Sequence, residues 1–208
     1  QEMSRGLGDV YKRQLYFTIR KAIPPVLIPR LYLLLILGGF QGVLGWYMVK
    51  SGLVDDPNVS QYRLTAHLGM AVFIYSLILW TVFDLSLNYN HAIRSRIKWM
   101  SSTLTLLIFL MILSGGLVAG TRAGIPFPTW PLMGDTFIPP QIYSMNPSWL
   151  SAFEDMATIQ FNHRMFAYLL TIFIVIFAIV LLGSNVPRFL KNGTTALLFV
   201  LSLSLIHI

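Results

Sequence analysis

Two histidines sit inside apolar runs, His67 in Tyr62 Arg63 Leu64 Thr65 Ala66 His67 and His163 in Gln160 Phe161 Asn162 His163 Arg164. An imidazole in such surroundings needs a partner, and it reads as a metal ligand, an interhelical hydrogen-bond donor or a headgroup-level residue. Each has an arginine close by: Arg63 lies one helical turn before His67, and Arg164 directly follows His163. A guanidinium makes a forked, charge-assisted bond to a carboxylate, so both arginines suit a propionate group, and both can equally snorkel to a lipid phosphate. The chain has no cysteine. Disulfides, thiolate metal sites and cysteine nucleophiles are therefore excluded, and metal chemistry falls to His, Met or carboxylates.

The elements that must position these residues are membrane helices. Hydrophobic residues make up 55% of the 208 and charged residues 11%, with a mean hydropathy of +0.67, well outside soluble composition. The net charge of +7 belongs, in so apolar a chain, to loops on one side of a bilayer and its lipid headgroups, which excludes a nucleic-acid binder. Crossing about 30 Å of hydrocarbon takes about 20 residues at 1.5 Å each. Leu31 to Val49, Tyr62 to Phe83, Met100 to Gly120 and Ile159 to Leu182 meet that length, a fifth run starts near Thr194, and Leu15 to Ile19 reads as the end of an earlier helix. The fold class expected is all-α, a polytopic membrane helical bundle.

Loop charges set the orientation. Arg20, Lys21 and Arg30 precede the first span, Arg94, Arg96 and Lys98 follow the second, and Arg188 and Lys191 follow the fourth, so these loops are expected inside. The loop from Lys50 to Gln61, with Asp55 and Asp56, and the long one from Thr121 to Thr158, with Asp135, Glu154 and Asp155 against Arg122, are expected outside. His91 falls in an inner loop and reads as a solvated surface residue. Trp46, Tyr47, Trp80, Trp130 and Trp149 fall mostly near span ends and read as interface anchors. The long outer loop, rich in proline and uncharged aromatics, is expected to fold over the bundle.

An internal repeat appears in this arrangement. A helix with Gly38 Gly39 Phe40 Gln41 Gly42 returns through the helix of His67, and one with Gly115 Gly116 Leu117 Val118 Ala119 Gly120 returns through the helix of His163. The glycines allow close approach of a backbone or a flat ligand. Two equivalent histidines at equal depth point to two equivalent sites, and in a cysteine-free bundle the usual cofactor held by one histidine per helix is haem. Three readings stay open on the residues alone: a haem enzyme, a dihaem cytochrome b-like membrane electron carrier, and a haem-free transporter or assembly protein.

Both ends read differently from the rest. Asp9 to Gln14 and Leu203 to Ile208 back-translate to the two orientations of a transposase sequencing-adapter element, so residues 1–14 and 203–208 are expected to be adapter-derived, and His207 to carry no chemistry. The stretch between, Leu15 to Ser202, is expected to be the interior of a longer protein.

The motifs in that stretch resemble the haem A synthase family in its proteobacterial and mitochondrial form. Gly39 Phe40 Gln41 Gly42 Val43 Leu44 Gly45 Trp46 Tyr47 Met48 Val49 Lys50 Ser51 Gly52 Leu53 resembles the family's third-helix signature, and Tyr62 to Leu68 its fourth. Val118 Ala119 Gly120 through Thr129 Trp130 Pro131 Leu132 Met133 resembles the loop after the fifth helix, and Gln160 to Arg164 the sixth-helix haem motif. The resemblance implies eight helices in two pseudo-symmetric halves. Residues 15–98 would end the amino-terminal half, with spans 31–49 and 62–83. Residues 99–202 would begin the carboxy-terminal half, with spans 100–120, 159–182 and a truncated 194–202, so that the chain covers about helices 3 to 6 and the start of 7.

The resemblance further implies the site. His67 would be an axial ligand of substrate haem O and product haem A, with Arg63 as a propionate contact. His163 would be an axial ligand of a haem b cofactor, with Arg164 as its propionate contact. The opposing ligands and a catalytic acidic residue would lie on the second and eighth helices, outside the chain, so the 208 residues alone are expected to be inactive. No role is carried onto Arg122. The implied reaction oxidises the methyl group of haem O to a formyl group, with water supplying the oxygen and an electron acceptor that the residues do not name. The implied setting is the bacterial plasma (inner) membrane, or the mitochondrial inner membrane in a eukaryote, beside haem O synthase and cytochrome oxidase assembly factors.

Overall fold

A computed structural model describes residues 16–50, 59–87 and 93–206. Asp55, Asp56, His91 and His207 lie outside the described residues. Five long helices follow one another: α1 (Ile28–Lys50), α2 (Gln61–Ser86), α3 (Ser95–Thr121), α4 (Met156–Leu182) and α5 (Arg188–Ile206). Residues 16–19 are helical and a single 3-10 turn, Pro25–Leu27, leads into α1. Among the described residues there is no strand, only an isolated bridge between Met133 and Thr136. The chain is an all-α multi-pass membrane bundle: α1 with its leading turn, α2, α3 and α4 are each long and apolar enough to cross a bilayer, with mean hydropathies from 1.7 to 3.0.

The helices extend beyond the apolar runs, because hydropathy marks where a segment enters hydrocarbon and not where its backbone begins to coil. The clearest case is α5, which starts at Arg188, ahead of the expected Thr194, and so takes Arg188 and Lys191 into its first turn. Helix ends follow local chemistry. Asp155 caps α4 by accepting from the Thr158 amide at 2.8 Å, and α3 stops where Arg122 turns left-handed at φ 55°. There the Ala123 amide reaches back five residues to the Val118 carbonyl, closing the helix as a glycine normally would.

Packing runs mainly between helices adjacent in sequence. Neighbours are antiparallel: Arg30 near the start of α1 pairs with Asp84 near the end of α2 at 2.7 Å, while Gly45 meets His67. Between α3 and α4 the contact is an apolar core of Ile97, Met100 and Leu104 against Leu170, Ile174, Phe177 and Leu181. Three glycines bring α2 and α3 together. A Cβ added at Gly120 would lie 2.6 Å from the Cα of Gln61, one at Gly116 would lie 2.8 Å from Thr65 Oγ1, and one at Gly69 would lie 2.6 Å from a Leu113 methyl. Close backbone approach of this kind holds membrane helices by dispersion where no hydrophobic force acts between them. Gly120→Ala meets backbone that cannot turn aside, and the expected cost is about 1–3 kcal/mol. It is read as a lower midpoint in a detergent unfolding titration, and an unchanged midpoint would show that the α2–α3 crossing is not this tight.

Candidate functional site

The helix order places the chemistry at one end of the bundle. The last turns of α1 and α3 and the first turns of α2 and α4 meet there, under the long loop 122–155. His67 lies about 9 Å along α2 from its start and His163 about 10 Å along α4, from the 1.5 Å rise per residue, so the two stand at matching depth.

Each imidazole rests on a glycine of the preceding helix. A Cβ at Gly45 would lie 3.0 Å from Cε1 of His67, and one at Gly115 would lie 3.5 Å from Cε1 of His163. The repeat is therefore registered on Gly45 and Gly115. Gly39 and Gly42, which composition groups with Gly115 and Gly116, have no atom within 4 Å of an added Cβ.

The surroundings of the two rings differ. His163 Nδ1 is 2.9 Å from Ser114 Oγ on α3. His67 Nδ1 is buried with no hydrogen-bond partner, while Gln41 on α1 donates through Nε2 to the His67 carbonyl at 3.1 Å. Arg63 is half-buried, with its guanidinium 4.1 Å above the Tyr47 ring and Nη1 3.5 Å from the Tyr47 carbonyl. It helps line a cavity of about 370 Å³ with Leu44, Tyr47, Ser60, Tyr62 and Ala66.

Every polar residue of Gln160 to Arg164 has a defined task. Gln160 Nε2 and Arg164 Nη2, one turn apart on α4, both donate to the Phe127 carbonyl, at 3.0 and 2.8 Å. Arg164 Nη1 adds the Leu132 carbonyl at 3.2 Å, and the residue is 5% exposed. Asn162 Oδ1 accepts from the Tyr143 hydroxyl at 3.0 Å. The sequence motif thus anchors the loop as well as presenting a histidine, and two Nη groups of Arg164 are engaged by carbonyls of the loop. At its far end the loop reaches the other half: Glu154 accepts from Gln61 Nε2 at 3.0 Å and from the Tyr62 hydroxyl at 2.5 Å.

Among the described residues, the buried side-chain polar atoms left without a partner fall into two groups. Gln41 Oε1, Thr65 Oγ1 and His67 Nδ1 belong to the α1–α2 hairpin, and Gln160 Oε1, Arg164 Nε and Tyr168 Oη belong to α4. Each such atom in a dry interior costs about 1–3 kcal/mol; Thr65 Oγ1 faces Gly116 on α3, while His67 Nδ1 belongs to a candidate ligand itself. Among the described residues no three of His, Cys, Asp and Glu come together as they would around a bare metal ion. A lone imidazole seated on a glycine fits instead a metal that brings its remaining ligands with it, as iron does in a porphyrin.

A family model described as cytochrome oxidase assembly protein matches residues 5–206. The chain belongs to that family. It is 47% identical over 168 residues to the heme A synthase of Nitrosospira multiformis, covering 78% of this chain and 47% of that protein. The heme A synthase of Parvibaculum lavamentivorans is 45% identical over 160 residues, covering 77% and 46%, and that of Wolbachia pipientis wMel 35% identical over 195 residues, covering 92% and 53%. The chain spans about half the length of the curated relatives it matches. No solved structure matches it.

In this member of the cytochrome oxidase assembly protein family, sequence reasoning brought His67, Arg63, His163 and Arg164 to the same end of the bundle. It gave no site role to Gly45, Gln41, Ser114 or Glu154. The spacing of Gln160 and Arg164, four apart and so on one face, was the available signal that they share a partner.

Proposed function

We propose that the chain is the central part of a haem A synthase, which oxidises the methyl group of haem O to a formyl group with water as the oxygen source. The observation that carries this is the paired arrangement of His67 on Gly45 and His163 on Gly115. The heme A synthase names of the relatives supply the chemistry. Haem iron, when bound, supplies the redox centre.

The chain's own residues bind and orient. His67 would hold haem O and haem A, and His163 would hold haem b, each presenting an imidazole from the same end of the bundle. Arg63, which has no acidic partner among the described residues, would hold a propionate at the first site. Arg164 offers a propionate at the second only the N–H groups that Phe127 and Leu132 leave unused. The loop 122–155, held by Gln160, Arg164 and Glu154, excludes water from this end. By the family resemblance, further haem ligands and a catalytic acid would come from other helices of the whole protein. The setting is the bacterial inner membrane, or the mitochondrial one in a eukaryote, with the long loop outside and with haem O synthase and oxidase assembly factors as neighbours.

The test is haem extraction and a pyridine haemochrome spectrum on the full-length protein beside His67→Ala and His163→Ala. The expected result is loss of haem b with His163→Ala and loss of haem O or A with His67→Ala. Haem absent from every version would overturn the reading in favour of a transporter.

A further inference from the structure

The two half-sites share a histidine seated on a glycine of the preceding helix, and they differ in the residue just before that glycine. The residue before the cradling glycine is Ser114 beside His163 and Leu44 beside His67. At His163 the serine hydroxyl sits 2.9 Å from Nδ1. At His67 the matching side chain has no polar atom, and Nδ1 is buried without a partner. Neither Nε2 makes a hydrogen bond among the described residues.

A hydrogen bond at Nδ1 decides three things for an imidazole that binds metal through Nε2. It keeps the proton on Nδ1, so that the Nε2 lone pair faces the metal; it fixes the plane of the ring; and it raises the basicity of the ligating nitrogen, which favours the ferric state. Ser114 can do all three for His163, because its oxygen accepts from Nδ1–H. Nothing equivalent acts on His67, whose ring rests against Gly45 while Gln41 reaches only its backbone carbonyl.

We propose that Ser114 is a positioning residue that makes the His163 half-site retentive, and that Leu44 at the matching place leaves His67 a weaker, exchangeable ligand. Resting on the haem reading above, this gives the difference a purpose. A resident cofactor must stay through many turnovers, whereas a substrate site must take in one haem and give up another. The division between cofactor and substrate is then written in a serine against a leucine, one residue ahead of a shared glycine.

The experiment uses the full-length protein in detergent as wild type, Ser114→Ala, Ser114→Thr and Leu44→Ser. Two quantities are read: transfer of haem to excess apomyoglobin, and the midpoint potential of the bound haem by spectroelectrochemical titration. Ser114→Ala is expected to hold haem b about 10–100-fold less tightly, the usual effect of removing a partner behind a metal-bound histidine. Its midpoint is expected to rise, by about 59 mV for each tenfold loss of ferric preference in a one-electron couple. Ser114→Thr, which keeps the hydroxyl, restores both values, and this separates the hydrogen bond from a general loss of fold. Leu44→Ser is expected to slow release of haem from the His67 site. Haem b retained in Ser114→Ala with an unchanged potential overturns the proposal and leaves the enzyme reading standing. A wild type that carries no haem overturns both.

Discussion

Gly45→Val is expected to abolish haem O and haem A binding at His67 while haem b at His163 remains. At Gly45 even a Cβ would stand 3.0 Å from His67 Cε1, tighter than nine in ten Cβ contacts in proteins, so the ring must already give by a few tenths of an ångström. Valine adds two methyl groups there, and in a helix its χ1 is confined to one rotamer, so the branch cannot swing away. The imidazole must leave its place, and the loss should reach about 100-fold, the upper end of the effect of disturbing support behind a metal ligand. The sister position sharpens the test. At Gly115 the same Cβ would stand 3.5 Å from His163 Cε1, an ordinary contact, so Gly115→Ala should be silent where Gly45→Ala already weakens binding. Haem content resolved by type checks all three variants, and equal effects at the two glycines would show that the cradles do not differ.

Arg164→Ala is expected to release the loop 122–155. Its two Nη groups hold the Phe127 and Leu132 carbonyls from a site 5% exposed, and hydrogen bonds from a charged donor contribute about 1.5–3 kcal/mol each. Together they make a loss of about 3 kcal/mol or more, enough to raise the open population of the loop more than 100-fold at 1.4 kcal/mol per tenfold change. Gln160→Ala, which removes one neutral bond to the same carbonyl, should cost about 1 kcal/mol. Arg164→Lys should recover little, since a point charge cannot span two carbonyls as the guanidinium fork does. Amide hydrogen exchange within the loop reads the effect directly, and unchanged protection in Arg164→Ala would show that the loop is held elsewhere. Loss of haem in Arg164→Lys without loss of loop protection would mark instead a direct contact with a propionate.

Residue type made the spans and their histidines visible, since a run of apolar residues has a length and a polar residue inside it needs a reason. Register was harder to see. Gly38, Gly39 and Gly42 drew attention because they cluster, yet the glycine that meets His67 is Gly45, and only the crossing of α1 on α2 decides that. The anchoring of the loop left little trace because its acceptors are the backbone carbonyls of Phe127 and Leu132, which any residue carries. Ser114 was hidden for a related reason. A serine in an apolar helix is ordinary, and its role appears only when His163 arrives from a segment 49 residues away. The stop at Arg122 belongs in the same class, for a left-handed arginine imitates what glycine usually does and has no pattern of its own.

Packing mainly between sequence neighbours also bears on how the molecule is made. Each histidine is seated by the helix immediately before it, His67 by Gly45 across one hairpin and His163 by Gly115 and Ser114 across another. Pairings this local form early during synthesis, before distant segments have to be found. A ribosome feeding the bilayer would thus complete the first cradle when α2 enters and the second when α4 enters, and the order of translation is also the order in which the two histidines come to their posts.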